Sequence, residues 1–230
     1  MRFEELNWMD VERYLERDNR IMVVLGACEQ HGYLSLLTDV KIPLALADAA
    51  SRQSGVLVSP PLNFGVSPYF LTYPGTISLR TETFIRVVED VVTSLYEQGF
   101  RRFLVLNGHG GNIAAQNVLV ELANRKPGMK VAWYAWWQSH SVEAVAARYG
   151  IKIYHAGWAE AFPFTRVTEL PQGEKHVQGY QGLLNAEETR AIFGDGVFGG
   201  DYQVEETILQ DVFDAALKDV LTLLNFDELA

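Results

Sequence analysis

Three short stretches of the 230-residue chain carry side chains able to hold a metal. The first is Gly26-Ala27-Cys28-Glu29-Gln30-His31-Gly32, followed by Thr38-Asp39. The second is Asn107-Gly108-His109-Gly110-Gly111-Asn112, and the third is His155-Ala156-Gly157-Trp158-Ala159-Glu160. Glu29 and His31 are two residues apart, so at the end of a strand both point the same way and can face one cavity. Carboxylate and imidazole together suit zinc, manganese or iron(II). A carboxylate can also bridge two ions, which two-metal hydrolysis needs at a spacing of about 3.5–4 Å. His109 sits among glycines that let the backbone turn sharply, and Asn107 and Asn112 can fix that turn through side-chain hydrogen bonds. Glu160, near a helix start, is a candidate fifth ligand. Each residue alone has a plainer reading: a solvated Glu-x-His turn, a lone histidine in a glycine turn, a helix cap at Asp39. The joint occurrence brings a metal site level with those plainer readings, because His31, His109 and His155 each follow a candidate buried strand. His140 and His176 do not, and take no role.

The elements that must position these groups alternate along the chain. Apolar runs at 21–25 and 103–106 read as strands buried on both faces, and each ends at a glycine loop. A short helix is expected over 7–17, and a helix beginning near Pro43 and running to Ala50 after the first loop. Residues 56–58 form a short strand. Residues 59–80 form a long loop rich in Pro, Gly, Ser and aromatics, a length that usually marks function. Helices follow over 81–98, 113–124 and 139–149, with a β-forming aromatic run at 131–137 between the last two. Asn185 and Glu188 have capping-box spacing, and a long amphipathic helix spans about 203–224. Strand–helix alternation implies one α/β domain over 1–230 with a mostly parallel sheet covered by helices on both sides.

Composition narrows the class. With 48% hydrophobic residues the chain can bury a sizeable core, and a formal charge of −10 argues against general nucleic-acid binding. Cys28 is the single cysteine, which excludes an intrachain disulfide and a cysteine-based zinc cluster. It reads as a small filler, not a nucleophile. The first residues lack the apolar segment of a secretory signal, and no apolar run reaches the ~20 residues of a membrane span. A cytoplasmic protein with no membrane association is the expectation.

The motifs resemble the signature loops of the creatininase (creatinine amidohydrolase) family. Glu29-Gln30-His31-Gly32, Thr38-Asp39, the Asn107–Asn112 loop and His155-Ala156-Gly157 carry the resemblance, in order. Pro74-Gly75-Thr76-Ile77-Ser78-Leu79 and Gly194-Asp195-Gly196 extend it to about residues 20–220. The resemblance implies a three-layer α/β/α sandwich, a homohexamer, and a divalent-metal amidohydrolase with two ions per chain. It implies metal ligation by Glu29, His31, Asp39 and His109, with Asp39 bridging. Creatininases carry a glutamate two residues after the histidine matched by His109, where this chain has Gly111. In the Gly-Gly branch the later Glu160 is expected to supply that carboxylate, and His155 matches the general acid/base.

Three departures stand out. The first loop is one residue shorter and lacks a second histidine. Ser67-Pro68-Tyr69-Phe70 replaces Ser-x-x-His. Glu160-Ala161-Phe162 replaces Glu-Thr-Ser. The pocket is therefore expected to be more apolar than in the family. Trp158, Trp136 and Tyr69 are candidate substrate contacts, with ordinary core packing as the alternative for the tryptophans. The expected activity is hydrolysis of a non-peptide C–N bond, in a cyclic amide or formamide of a small molecule, by a metal-activated water. A processing peptidase for a small modified peptide and a non-catalytic binding protein are the alternatives.

Overall fold

A computed structural model describes residues 1–226 of the chain. Strands β1 (Arg20–Leu25), β2 (Leu57–Val58), β3 (Arg102–Asn107) and β4 (Lys130–Ala135) form a parallel sheet in the order β2-β1-β3-β4. β1 and β3 pair along their full length, from Arg20 opposite Arg102 to Leu25 opposite Asn107. The ends that carry the first two site loops are thus held side by side.

Alternation within β1 explains the layers. Met22 and Val24 face one core, while Ile21, Val23 and Leu25 face the other, and all five are buried. Helices α2 (Thr38–Ser54), α5 (His140–Arg148) and α7 (Glu206–Leu223) cover the first face. Helices α1 (Trp8–Leu15), α3 (Thr81–Gln98) and α4 (Ala115–Arg125) cover the second. Each fully buried Val, Leu or Ile contributes about 1.5–3 kcal/mol, which is why the strands read as continuous apolar runs. The result is the expected α/β sandwich with the sheet in the middle. A small antiparallel pair, β5 (Glu174–Lys175) and β6 (Gly200–Asp201), and helix α6 (Ala186–Phe193) lie outside it.

The chain leaves β1 for α2 on one face and leaves β3 for α4 on the other. Between two strands that diverge in this way a crevice opens at their carboxyl ends, and open α/β sheets bind ligands there.

Local chemistry sets the element ends. Asn7 accepts from the Met9 and Asp10 amides, and Asp10 returns the bond in a capping box. Asn185 and Glu188 form another. Gly99 follows α3 at φ 121°, where only glycine is unstrained.

Three expectations need correction. α2 begins at Thr38, five residues before Pro43, so Pro43 lies inside the helix. Proline cannot donate to the carbonyl four residues back, here that of Asp39. The Gly108 backbone lies against that same carbonyl, where a Cβ would come within 1.8 Å of the oxygen. Second, β4 stops at Ala135, and Trp136 and Trp137 enter a 3-10 turn instead of continuing the strand. Third, Ile151–Tyr154 is irregular backbone, so His155 does not follow a strand. Ile151 and Ile153 pack against the core, which accounts for their apolar character without a sheet position.

Candidate metal centre

Glu29, His31, Asp39, His109 and Glu160 meet at the carboxyl ends of β1 and β3, and all five are buried. Glu29 and His31 hang from the loop after β1. Asp39 lies in the first turn of α2, and His109 in the loop after β3. Glu160 comes from a 3-10 turn over Trp158–Glu160. His31 Nε2 is 2.9 Å from Asp39 Oδ1 and 3.9 Å from Glu160 Oε1. His109 Nδ1 is 2.9 Å from Asp39 Oδ2, and its Nε2 is 3.5 Å from Glu29 Oε2. Three three-residue groups result, Glu29–Asp39–His109, His31–Asp39–Glu160 and Glu29–His31–His155, each with ligand atoms within 4.8 Å of one another. Asp39 belongs to the first two and turns one oxygen toward His31 and the other toward His109.

The donor set fits divalent cations. Glu29 Oε2, His31 Nε2 and Asp39 Oδ2 are buried without a hydrogen-bond partner, a state that costs folding energy unless something else satisfies them. Their short separations lack hydrogen-bond alignment, as is expected of atoms oriented toward shared cations. Protonation tells the same story. Burial opposes a charge on His31, but Asp39, Glu160 and Glu29 outweigh it and raise its pKa to about 10. Burial likewise opposes a charge on His109, and Glu29 and Asp39 raise it to about 9. Burial pushes Glu160 up to about 7, against the pull of His31. Burial also raises Glu29. Asp39 is driven well down because His31 and His109 together outweigh its burial. Three clustered carboxylates demand positive charge, and protons on the histidines supply it where metal does not.

The surrounding shell holds these groups in place. Asn112 Nδ2 donates to the Gly26 carbonyl at 3.1 Å and to Asn107 Oδ1 at 3.2 Å, and Asn112 Oδ1 accepts from the Val66 amide. One side chain thereby ties the first loop, the second loop and the 59–80 loop together. Asn107 Nδ2 donates to the His109 carbonyl at 2.7 Å. His109 Nε2 lies 2.9 Å from the Val66 carbonyl and 3.2 Å from Ser67 Oγ.

His155 borders the cluster, with Nε2 3.9 Å from Glu29 Oε1. Its ring stacks on Phe70 with centroids 4.9 Å apart and tilts against Phe198 at the same distance. Gln30 fixes its tautomer. Gln30 Oε1 accepts from the Gly32 amide, so the amide nitrogen must be the atom facing both the Gly196 carbonyl and His155 Nε2, at 3.1 and 2.9 Å. His155 Nε2 is then the acceptor and Nδ1 carries the proton. Burial disfavours a second proton, and the charge of His31 disfavours it further. Gly196 has φ 91°, and a Cβ there would come within 1.8 Å of Gln30 Oε1.

Above the cluster opens a cavity of about 650 Å³. Glu29, Asp39, His109, His155 and Glu160 lie at its base, and Tyr69, half of the way into solvent, lines its wall.

Comparison with known proteins places this architecture. Residues 4–224 match the creatininase family, described as creatinine amidohydrolase. The chain belongs to the creatininase family. It is 34% identical over 115 residues to the creatinine amidohydrolase of Pseudomonas putida, covering 47% of this chain and 44% of that protein. It is 32% identical over 120 residues to the mycofactocin precursor peptide peptidase of Mycolicibacterium smegmatis, covering 49% and 48%. The matched stretches thus span about half the length of these curated relatives. A creatininase variant of Zn-Zn type superposes with a TM-score of 0.80 at 20% identity, over 98% of this chain and 97% of that one.

Within this creatininase-family frame the sequence signals divide. The structure brings Glu29, His31, Asp39, His109, His155 and Glu160 together. It does not bring Trp158 or Trp136 to the cavity. Both are core residues, Trp158 fully buried with Nε1 donating to the Lys152 carbonyl at 2.8 Å, so their expected substrate contact is corrected. His140 and His176 lie outside the cluster. A Cβ at Gly111 would lie 1.9 Å from the Val66 carbonyl oxygen and 2.7 Å from His109 Nε2, so no side chain fits at this position. Sequence reasoning gave Gln30, Ser67 and Phe198 no role. Gln30 had a signal, being flanked by Glu29 and His31 with a glycine to follow.

Proposed function

We propose that this chain is a metal-dependent amidohydrolase that cleaves a non-peptide C–N bond, in a cyclic amide or formamide of a small molecule. The observation that carries the reading is Asp39, shared between two ligand groups at the base of a cavity. In this reading Glu29, Asp39 and His109 hold one divalent ion, and His31, Asp39 and Glu160 hold a second. Zinc, manganese or iron(II) suits these ligands. Such ions lower the pKa of a bound water to about 7 and polarise a carbonyl.

The remaining chemistry falls to the chain's own residues. His155 presents an unprotonated Nε2 beside Glu29, and stacking on Phe70 fixes its plane. It accepts the proton of the attacking water at Nε2, exchanging its bond from Gln30, and returns it to the departing nitrogen. Assembly as a homo-oligomer, a hexamer by family resemblance, and a cytoplasmic location complete the proposal. Among the described residues no helix is long and apolar enough to cross a membrane.

The test is metal content and turnover measured together. Protein purified without chelator should carry close to two divalent ions per chain and hydrolyse members of an amide and formamide panel. His155→Asn should keep the metal and lose turnover by about 100-fold or more, the scale of a general acid/base contribution. Metal without hydrolysis across the panel would favour a non-catalytic binding protein. Hydrolysis confined to short peptides would favour a peptidase like the mycobacterial relatives.

A further inference from the structure

The walls of the cavity differ in kind from its base. Every carboxylate and histidine that lines it belongs to the cluster at the base: Glu29, Asp39, His109, His155 and Glu160. Among the described residues no lysine or arginine lines it at all. The upper wall is built from three directions. Tyr69 and Phe70 come from the 59–80 loop, Tyr180 and Leu183 from the segment before α6, and Phe193 and Phe198 from α6 and the loop after it. Phe193 and Phe198 stack at 3.9 Å and Phe198 meets Phe70 at 5.9 Å, so these segments make one continuous aromatic surface. That surface reaches solvent through Tyr69, Tyr180 and Leu183, all of them exposed.

Such a wall discriminates by charge. A carboxylate or phosphate buried against it would lose water and gain no cationic partner, which is costly. A neutral apolar group gains by burial. Ligand sites of this volume typically hold more than a single small ring. We infer that the substrate of this site is an amide whose non-reacting part is apolar and carries no anionic group, and is large enough to include an aromatic ring. This rests on the amidohydrolase reading for the reacting bond, and on the wall alone for the rest of the molecule.

Hydroxamates test it by binding, without turnover, because one chelating group can carry different bodies. On zinc-loaded protein, titration calorimetry would compare acetohydroxamate, benzohydroxamate and 4-carboxybenzohydroxamate. Benzohydroxamate should bind at least about tenfold more tightly than acetohydroxamate, and the carboxylate should remove at least about that factor. Leu183→Lys, at a position 88% exposed, should raise the affinity for the carboxylated probe relative to benzohydroxamate. Equal affinity for all three, or preference for the carboxylated body, would overturn the inference. If no hydroxamate binds, the metal reading fails separately. Formanilide binding to the same protein, followed by NMR, then decides the wall: saturable shifts at Phe198 and Tyr180 support it, and none overturns it.

Discussion

Two regions supply the cluster by different means. Glu29, His31 and His109 leave the ends of β1 and β3, strands locked in register over six residue pairs. Their positions follow from a backbone ladder. His155 and Glu160 come from a segment with no strand beneath it. That segment is held by individual bonds: the Ala156 amide donates to Glu160 Oε2 at 2.5 Å, Thr165 Oγ1 to the Glu160 carbonyl at 2.6 Å, and the Phe198 amide to the His155 carbonyl at 3.1 Å. Ala156 is the one non-glycine residue among those described with positive φ, at 58°. The contrast teaches that a sheet edge places ligands cheaply, while a loop must spend specific bonds and backbone strain to do the same.

The comparison can be broken most severely at Asp39. Asp39→Ala removes the carboxylate common to the Glu29–Asp39–His109 and His31–Asp39–Glu160 groups and leaves His31 and His109 without their nearest carboxylate. Both ions should be lost, with affinity reduced by more than about 100-fold, beyond what removal of an outer partner costs. Elemental analysis after dialysis reads this, and one retained ion would show that Asp39 is not shared. Glu160→Ala cuts the loop's contribution alone. It should release about one ion and keep the other on Glu29, Asp39 and His109. Loss of both would mean that the two regions act as one unit.

The mildest change sharpens the same point. Ala156→Gly relieves a left-handed conformation that costs an L-residue about 1–2 kcal/mol, against about 0.5–1 kcal/mol of added chain entropy. The net should be a small rise in melting temperature, about 1–3 °C at this chain length, with metal content unchanged. A fall in melting temperature would show that Ala156 is not strained there.

Much of this was legible in the amino-acid sequence. Buried-strand runs ending in glycine located β1 and β3, and the spacing of Glu29 and His31 followed from the period of a strand. The apolar stripes located α3 and α7. The sequence misplaced the start of α2, because Pro43 resembles a first-turn proline and nothing local reveals that Gly108 will pack on the freed Asp39 carbonyl. It also left Trp136 and Trp158 open between substrate contact and core packing, since side-chain type does not distinguish a wall from a core, and the structure places both in the core.

The chain by itself determined which residues can bind metal, because ligand chemistry belongs to side-chain type, and which segments become strands, because burial on two faces requires an unbroken apolar run. Tertiary structure alone decided that Asp39 stands between His31 and His109, that Gln30 sets the tautomer of His155, and that the walls above the cluster carry no charge of their own. Those are relations between residues 8 to 166 positions apart in sequence, and only the register of β1 with β3 and the packing of the loops over it bring them within hydrogen-bonding distance.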